Sequence, residues 1–189
     1  MNVYDWDNTI YRGDSTFDFL RWLLVHRPAS FKGLPRAAGC AFLYAVRAMK
    51  KLQFKQNVYH MFTYVDDMEQ AVEEFTSSHM DHVKDWYRAA QRPDDLVISA
   101  SPEFLISSFC RKAGIEHCMA SVVDIRTGEY DGLNCHGKEK TRRFYEVYPQ
   151  GHIESFYSDS LSDSPLAELA DRAYLVKGDV LKDWPERAS

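Results

Sequence analysis

"VYDWDNTIYRGDST" (residues 3–16) decides how this chain is read. A short apolar run ends at Asp5, Asp7 follows, and Thr9 comes two residues later. Carboxylates this close repel one another, so the pair persists where a cation or a reaction uses it. Residues 2–5 read as a buried strand that delivers Asp5 at its carboxyl end. Gly13 then breaks the polar stretch before Ser15 or Thr16 caps a helix, while Asp14 either begins that helix or contacts a substrate amine.

Outward from this stretch, apolar residues recur at helical intervals in "FDFLRWLLVH" (17–26) and again at Val72, Phe75, Met80, Val83 and Trp86. Several helices without a strand are therefore predicted up to about residue 90. "RPASFKGLP" (27–35), with two prolines and a glycine, reads as a link between the first two. The pattern changes at "RPDDLVISASPEFLISSFCRKAGI" (92–115), where Leu96 to Ile98 make a buried strand. Ser101 fits an N-cap there, Pro102 the first helical position and Gly114 the helix end. Alternation continues through a strand and hairpin in "MASVVDIRTGEYDGLN" (119–134), a helix in "KEKTRRFYEVYP" (138–149), a strand in "HIESFYSDS" (152–160), a helix in "SPLAELAD" (164–171) and a last strand in "RAYLVKG" (172–178). Such alternation predicts an α/β fold with a doubly wound parallel sheet, whose ligands collect at the carboxyl ends of the strands.

Three segments then place polar groups just beyond strand ends: "DWDNT" (5–9), "SAS" (99–101) and "SDSLSD" (158–163). Lys140, near the start of a helix, can reach the same edge. Asp5, Asp7, Asp159 and Asp163 with small hydroxyls and one lysine form an oxygen-rich set that suits Mg²⁺ and a phosphate oxygen. The set implies a small phosphorylated substrate.

With these residues in place, "DWDNT", "VISAS" (97–101), "GKEKTRRF" (137–144) and "YSDSLSDSPL" (157–166) resemble the four ordered motifs of the haloacid dehalogenase superfamily. The helical insert after the first motif is similar to the cap of the phosphoserine-phosphatase-like branch. The resemblance implies a Rossmann-like core, residues 1–11 and 91–189, and a helical cap, residues 12–90. It implies a Mg²⁺-dependent phosphomonoesterase with Asp5 as nucleophile and Asp7 as general acid and base. Thr9, Ser99, Ala100 and Ser101 would contact phosphate, and Lys140 would neutralise charge. Asp5, Asp7 and Asp159 would hold Mg²⁺, with Asp163 supporting the metal water or the lysine. Lys138 is the rival of Lys140. Ser158 and Ser162 depart from the branch at positions where Gly and Asn are usual. A phosphotransferase is the alternative among enzymes, and a phospho-accepting signalling module the alternative outside them.

Composition bounds the remaining readings. The 189 residues, 45% hydrophobic, can bury a core for one large domain or a domain plus a subdomain. A net charge of −5 argues against a nucleic-acid binder. Cys40, Cys110, Cys118 and Cys135 show no paired spacing, and the chain starts directly on strand-like sequence, so reduced thiols and a cytoplasmic location are expected. The most apolar run, "GCAFLYAV" (39–46), is far short of the roughly 20 residues that cross a bilayer. "LPRAAGCAFLYAVRAMKKL" (34–52) is expected to be a buried cap helix with basic ends. Its alternative is a helix in peripheral contact with a membrane, which would make the substrate a lipid phosphate. Phe17, Phe42, Tyr44 and Tyr59 are expected to pack the cap helices. Cys135 and His136 are read as structural, and His79 with His82 as a solvated face.

Overall fold

The computed structural model describes residues 1–185, so residues 186–189 of the expected core lie outside the described residues. Strand β1 (Asn2–Tyr4) leads into helix α1 (Ser15–His26), a 3₁₀ turn over Pro28–Gly33, α2 (Leu34–Ala45) and α3 (Lys51–Tyr59). Helices α4 (Met68–Ser78) and α5 (Asp85–Ala90) complete the insert. Strand β2 (Leu96–Pro102), α6 (Glu103–Ala113), β3 (His117–Ser121), α7 (Lys138–Val147), β4 (Ile153–Ser158), α8 (Ser164–Ala167), β5 (Ala170–Lys177) and β6 (Val180–Asp183) follow.

The sheet order is β3-β2-β1-β4-β5-β6, parallel except for the β5–β6 pair. Winding therefore reverses between β1 and β4, and the crevice at that switch is where a doubly wound sheet binds its ligand. Register fixes what meets there. Tyr4 lies opposite Val97 on β2 and Tyr157 on β4, so Asp5, the Ser99–Ser101 segment and Asp159 emerge along one edge.

Side chains that alternate along the strands build two cores, one on each face. Val3, Leu96, Ile98 and Phe156 pack with Phe144 of α7 and Leu166 of α8. Tyr4, Trp6 and Val97 face the other way, toward α1, α4, α5 and α6. Much of the insert belongs to this second core: Phe75 meets Phe109 of α6 at 5.8 Å and Tyr87 meets Tyr4 at 4.9 Å between ring centroids.

The α2–α3 hairpin differs. Of α2 only Cys40 is buried, and Phe42, Leu43, Tyr44 and Val46 are exposed. The expected buried helix is thus corrected, because α2 leans on α3 along a narrow side, through the Tyr44–Phe54 stack at 4.9 Å and a 2.8 Å bond from Arg36 Nε to Asn57 Oδ1. Leu34 and Ala37 at its start turn inward to the cavity, while Phe42 and Leu43, with Val46 just beyond, are left exposed.

Two serine cap readings also differ from expectation. Asp14 begins α1, as one of its two readings had it, and caps it in place of Ser15 or Thr16, accepting from Phe17 N at 2.9 Å, because a carboxylate reaches the third helical amide that Ser15 and Thr16, already inside the helix, cannot. Ser101 caps nothing, since β2 continues through Pro102 and its hydroxyl turns to Asp7. Strand β6 was not foreseen; it folds back antiparallel across Gly178, whose φ of +61° suits a residue without a side chain.

Candidate active site

The loop after β1 is shaped before any ligand enters it. Thr9, Ile10 and Tyr11 all direct their amides to Trp6 O, and Asn8, at φ +58°, donates its amide to Gly13 O at 2.8 Å. Lys84, 3% exposed, donates from Nζ to Asn8 O at 2.8 Å and to Gly178 O at 2.5 Å, tying this loop to the β5–β6 turn.

On that frame Asp5 Oδ1 accepts from Lys140 Nζ at 2.6 Å, and the same ammonium donates to Asp163 Oδ2 at 2.7 Å. Lys140 is 2% exposed, whereas its rival Lys138 is exposed on the first turn of α7. Arg143 sets the depth of α7 by donating to Ala120 O and Leu133 O, each at 2.6 Å. Ser158 Oγ donates to Asp163 Oδ2 at 2.9 Å, so the serine at the position where the resembled branch has Gly helps to hold the support carboxylate.

Asp7 is held from two sides. Its Oδ1 accepts from Ser15 N and Ser15 Oγ, both at 2.6 Å, and its Oδ2 accepts from Ser101 Oγ at 2.5 Å. Thr16 Oγ1 donates to Ser101 Oγ at 2.9 Å and extends the chain. Burial and the nearby Asp14 push Asp7 up to about 7, against the pull of Ser101 and Ser15. Burial also raises Asp5, opposed by the Lys140 charge. Burial opposes the charge on Lys140 too, but Asp5 and Asp163 outweigh it and hold the ammonium above its ordinary range. Asp159 is pushed up to about 6 by burial and by Asp5.

These groups floor a cavity of about 500 Å³. Asp5, Asp7, Asp159, Asp163, Lys140, Ala100 and Ser101 all line it. Thr9 and Ser99 stand behind the lining. Thr9 is fully buried, donates to Asp5 Oδ2 at 3.4 Å and accepts from Asp159 N at 3.0 Å, and so acts as a strut between β1 and β4. Ser99 Oγ accepts from Ser101 N at 3.1 Å.

The wall opposite the carboxylates comes from the insert and is largely apolar, with Leu20, Leu34, Phe54, Val58 and Met61 on it. Lys51 and Lys55 add ammonium groups to the same cavity, and His136 an imidazole that burial and Lys51 hold toward its neutral form. Lys55 Nζ donates to Ala100 O at 3.2 Å, and burial lowers its pKa. Sequence reading missed Lys55 and assigned His136 to structure. No spacing rule connects α3 to the end of β2, so neither residue carried a signal.

Along the carboxylate floor of this cavity a metal would find hard oxygen donors. Asp163 Oδ1 is buried without a partner, and burial raises Asp7 and Asp159, so the anionic form of each would gain from a cation. Among the described residues no group of three His, Cys, Asp or Glu side chains is placed to hold a metal ion. Mg²⁺ takes one or two carboxylates and fills its shell with water and phosphate oxygens.

Comparison with known proteins gives the family of the chain. The family model of haloacid dehalogenase-like hydrolases matches residues 3–168. The chain belongs to that family. A probable phosphatase of Mycobacterium tuberculosis is 33% identical over 107 residues, which cover 49% of this chain and 37% of that protein. This dehalogenase-like chain thus matches a little over a third of the length of that curated relative. A Bordetella pertussis protein of unknown function has the same fold, with a TM-score of 0.71, 21% identity and coverage of 92% of this chain and 87% of that one. A probable phosphoserine phosphatase of Vibrio cholerae shares it at a TM-score of 0.63 and 9% identity, over 91% of this chain and 55% of that one.

Proposed function

We propose that this chain hydrolyses phosphate monoesters through a phosphoryl group carried on Asp5. The observation that carries the reading is the pairing of Asp5 with Lys140 at 2.6 Å at the sheet's switch point, with Asp7 on the floor of the same cavity. Asp5 would attack phosphorus, forming the carboxylate oxygen to phosphorus bond as the ester oxygen departs. Asp7, whose pKa near 7 lets it hold a proton at neutral pH, would protonate that oxygen. The resulting carboxylate would then take a proton from water as it attacks the Asp5 phosphoryl group, releasing inorganic phosphate and restoring both acids.

Lys140 favours the anionic form of Asp5 against its burial and would face the phosphoryl oxygens, while Asp163 and Ser158 hold the ammonium in place. Asp5, Asp7 and Asp159 would hold Mg²⁺, Asp7 through its main-chain oxygen so that its carboxyl stays free for the proton, with Asp163 supporting the metal's water or Lys140. Bound there, the ion would neutralise phosphoryl charge and align the ester for attack. Thr9 and Ser99 would shape the phosphate cradle from behind, with Ala100 and Ser101 at its surface. The α2–α3 hairpin, as the wall facing the carboxylates, would exclude water and select the organic part of the ester.

Phosphate release from a panel of sugar, amino-acid, nucleotide and lipid monoesters, with Mg²⁺ and with excess chelator, tests this. Release that needs Mg²⁺ and vanishes in Asp5→Asn is expected. Full release in chelator or in Asp5→Asn would overturn it.

A further inference from the structure

Charge is segregated along this acidic chain. Between Asp18 and Asp66 there is no Asp or Glu, while Arg21, Arg27, Lys32, Arg36, Arg47, Lys50, Lys51 and Lys55 are all cationic. These eight charges in a chain of net −5 leave −13 on the rest. The cationic stretch contains the hairpin whose outer side the fold leaves uncovered.

Phe42 is 68% exposed, Val46 54% and Phe31 52%. Phe42 and Val46 lie four apart, on one side of the chain as α2 ends. Lys32 lies in the turn before α2, and Arg47 and Lys50 in the turn after it, all exposed. Apolar side chains flanked by long cations are the arrangement that lies in a lipid headgroup layer, where rings and branched chains enter the acyl boundary and the amines stay at the phosphates. Helix α2 has twelve residues and no helix among those described is long and apolar enough to cross a membrane, so the contact is with the surface.

We infer that the outer side of the α2–α3 hairpin docks this protein on an anionic bilayer. Charge selects that occupant over the others. A second copy placed symmetrically would bring like cations together. A nucleic acid would answer the cations but leave the exposed Phe42 and Val46 in water. The hairpin's inner side, through Leu34, Phe54 and Val58, also walls the cavity. Docking therefore puts the site beside the lipid, and its substrate class is an amphiphilic phosphate monoester. Docking stands apart from the phosphatase reading, whereas the substrate class rests on it.

Sedimentation of the full chain with vesicles tests the docking, comparing phosphatidylcholine alone with equal parts of phosphatidylcholine and phosphatidylserine. Binding to the anionic vesicles only, weakened by salt, is expected. Phe42→Ser/Val46→Ser and Lys32→Glu/Lys50→Glu should each lower the bound fraction by about tenfold or more, with turnover of a small soluble ester unchanged. Equal binding to both vesicle types, no binding, or unaltered binding in both double variants overturns the docking. Retention on single-stranded RNA, or self-association abolished by Phe42→Ser/Val46→Ser, with no vesicle binding, assigns the face to another occupant and likewise overturns it. Phosphate release is then compared between phosphatidic acid in anionic vesicles and glycerol 3-phosphate. Preference for phosphatidic acid is expected, and preference for glycerol 3-phosphate overturns the substrate class. Binding to anionic vesicles with no release from any ester would overturn the phosphatase reading and leave the docking standing.

Discussion

At the carboxyl edge of the sheet, Asp5, Lys140 and Asp163 are buried and share bonds of 2.6 and 2.7 Å, while facing them α2 buries Cys40 alone and leans on α3 through one ring stack and one exposed hydrogen bond. Charged groups in the floor are each held by the others, so removing one leaves its partners stranded away from water. The outer side of the hairpin has no such interdependence, although its inner side is anchored through Tyr59, Val58 and Lys55. Outer residues such as Phe42 and Val46 are free to change with the molecule they meet, which is the division of labour expected where a fixed reaction serves a variable substrate.

The sharpest way to break this contrast is Lys140→Met. It leaves Asp5 and Asp163 buried without their cation and should cost about 3 to 5 kcal/mol of stability, read from urea unfolding. Lys138→Ala, an exposed change two residues away, should stay within about 0.5 kcal/mol. Comparable losses in the two variants would remove the distinction between an interdependent floor and its surroundings.

A smaller effect comes from pH. Burial raises Asp7 to about 7 in the folded protein, against an ordinary carboxyl value of about 4 once unfolded. Between these values the folded state binds the extra proton, so metal-free protein should lose stability as pH rises from about 4 to about 7. Melting temperatures should fall by several degrees across that window, and Asp7→Asn should flatten the slope. A slope unchanged in Asp7→Asn would mean that other groups carry it.

Ser101→Ala should cost about 1 kcal/mol by removing a hydroxyl that Asp7 accepts from. It should also move the Asp7 titration upward, seen by NMR of the metal-free protein, because that bond favours the charged carboxylate. The smallest expected effect lies in the hairpin: Arg36→Ala breaks the exposed bond to Asn57 and should change stability by less than about 0.5 kcal/mol. A larger loss would show that the hairpin is braced like the floor.

What could be read from the sequence follows the same division. Asp5 and Asp7 were legible because the strand, its end and the acids sit on one short stretch. Lys140 was preferred to Lys138 because "KTRRF" has the resembled motif's spacing from lysine to the next apolar residue, and in the fold Lys140 is buried while Lys138 is exposed. The alternation after residue 91 announced the sheet, but β6 carried little apolar signal because all four of its residues are exposed. Periodicity showed that α2 is a helix with an apolar side and could not show that this side lacks a neighbour. Ser101 looked like a cap because Ser before Pro commonly is one, yet its hydroxyl serves a residue 94 positions away. Lys55 was silent for the same reason: its partner, Ala100 O, is named only by the fold.

The central claim is that Asp5 carries the phosphoryl group while Asp7 moves the proton. Asp7→Asn protein mixed with nitrophenyl phosphate and Mg²⁺, quenched in acid and mapped by mass spectrometry, tests it directly. Nitrophenolate is a stable leaving group that needs little protonation, so transfer should proceed and hydrolysis stall. The account predicts about one equivalent of nitrophenolate released in a burst, with phosphate on the peptide containing Asp5. Phosphate found on another residue, or a burst that persists in Asp5→Asn, would contradict it.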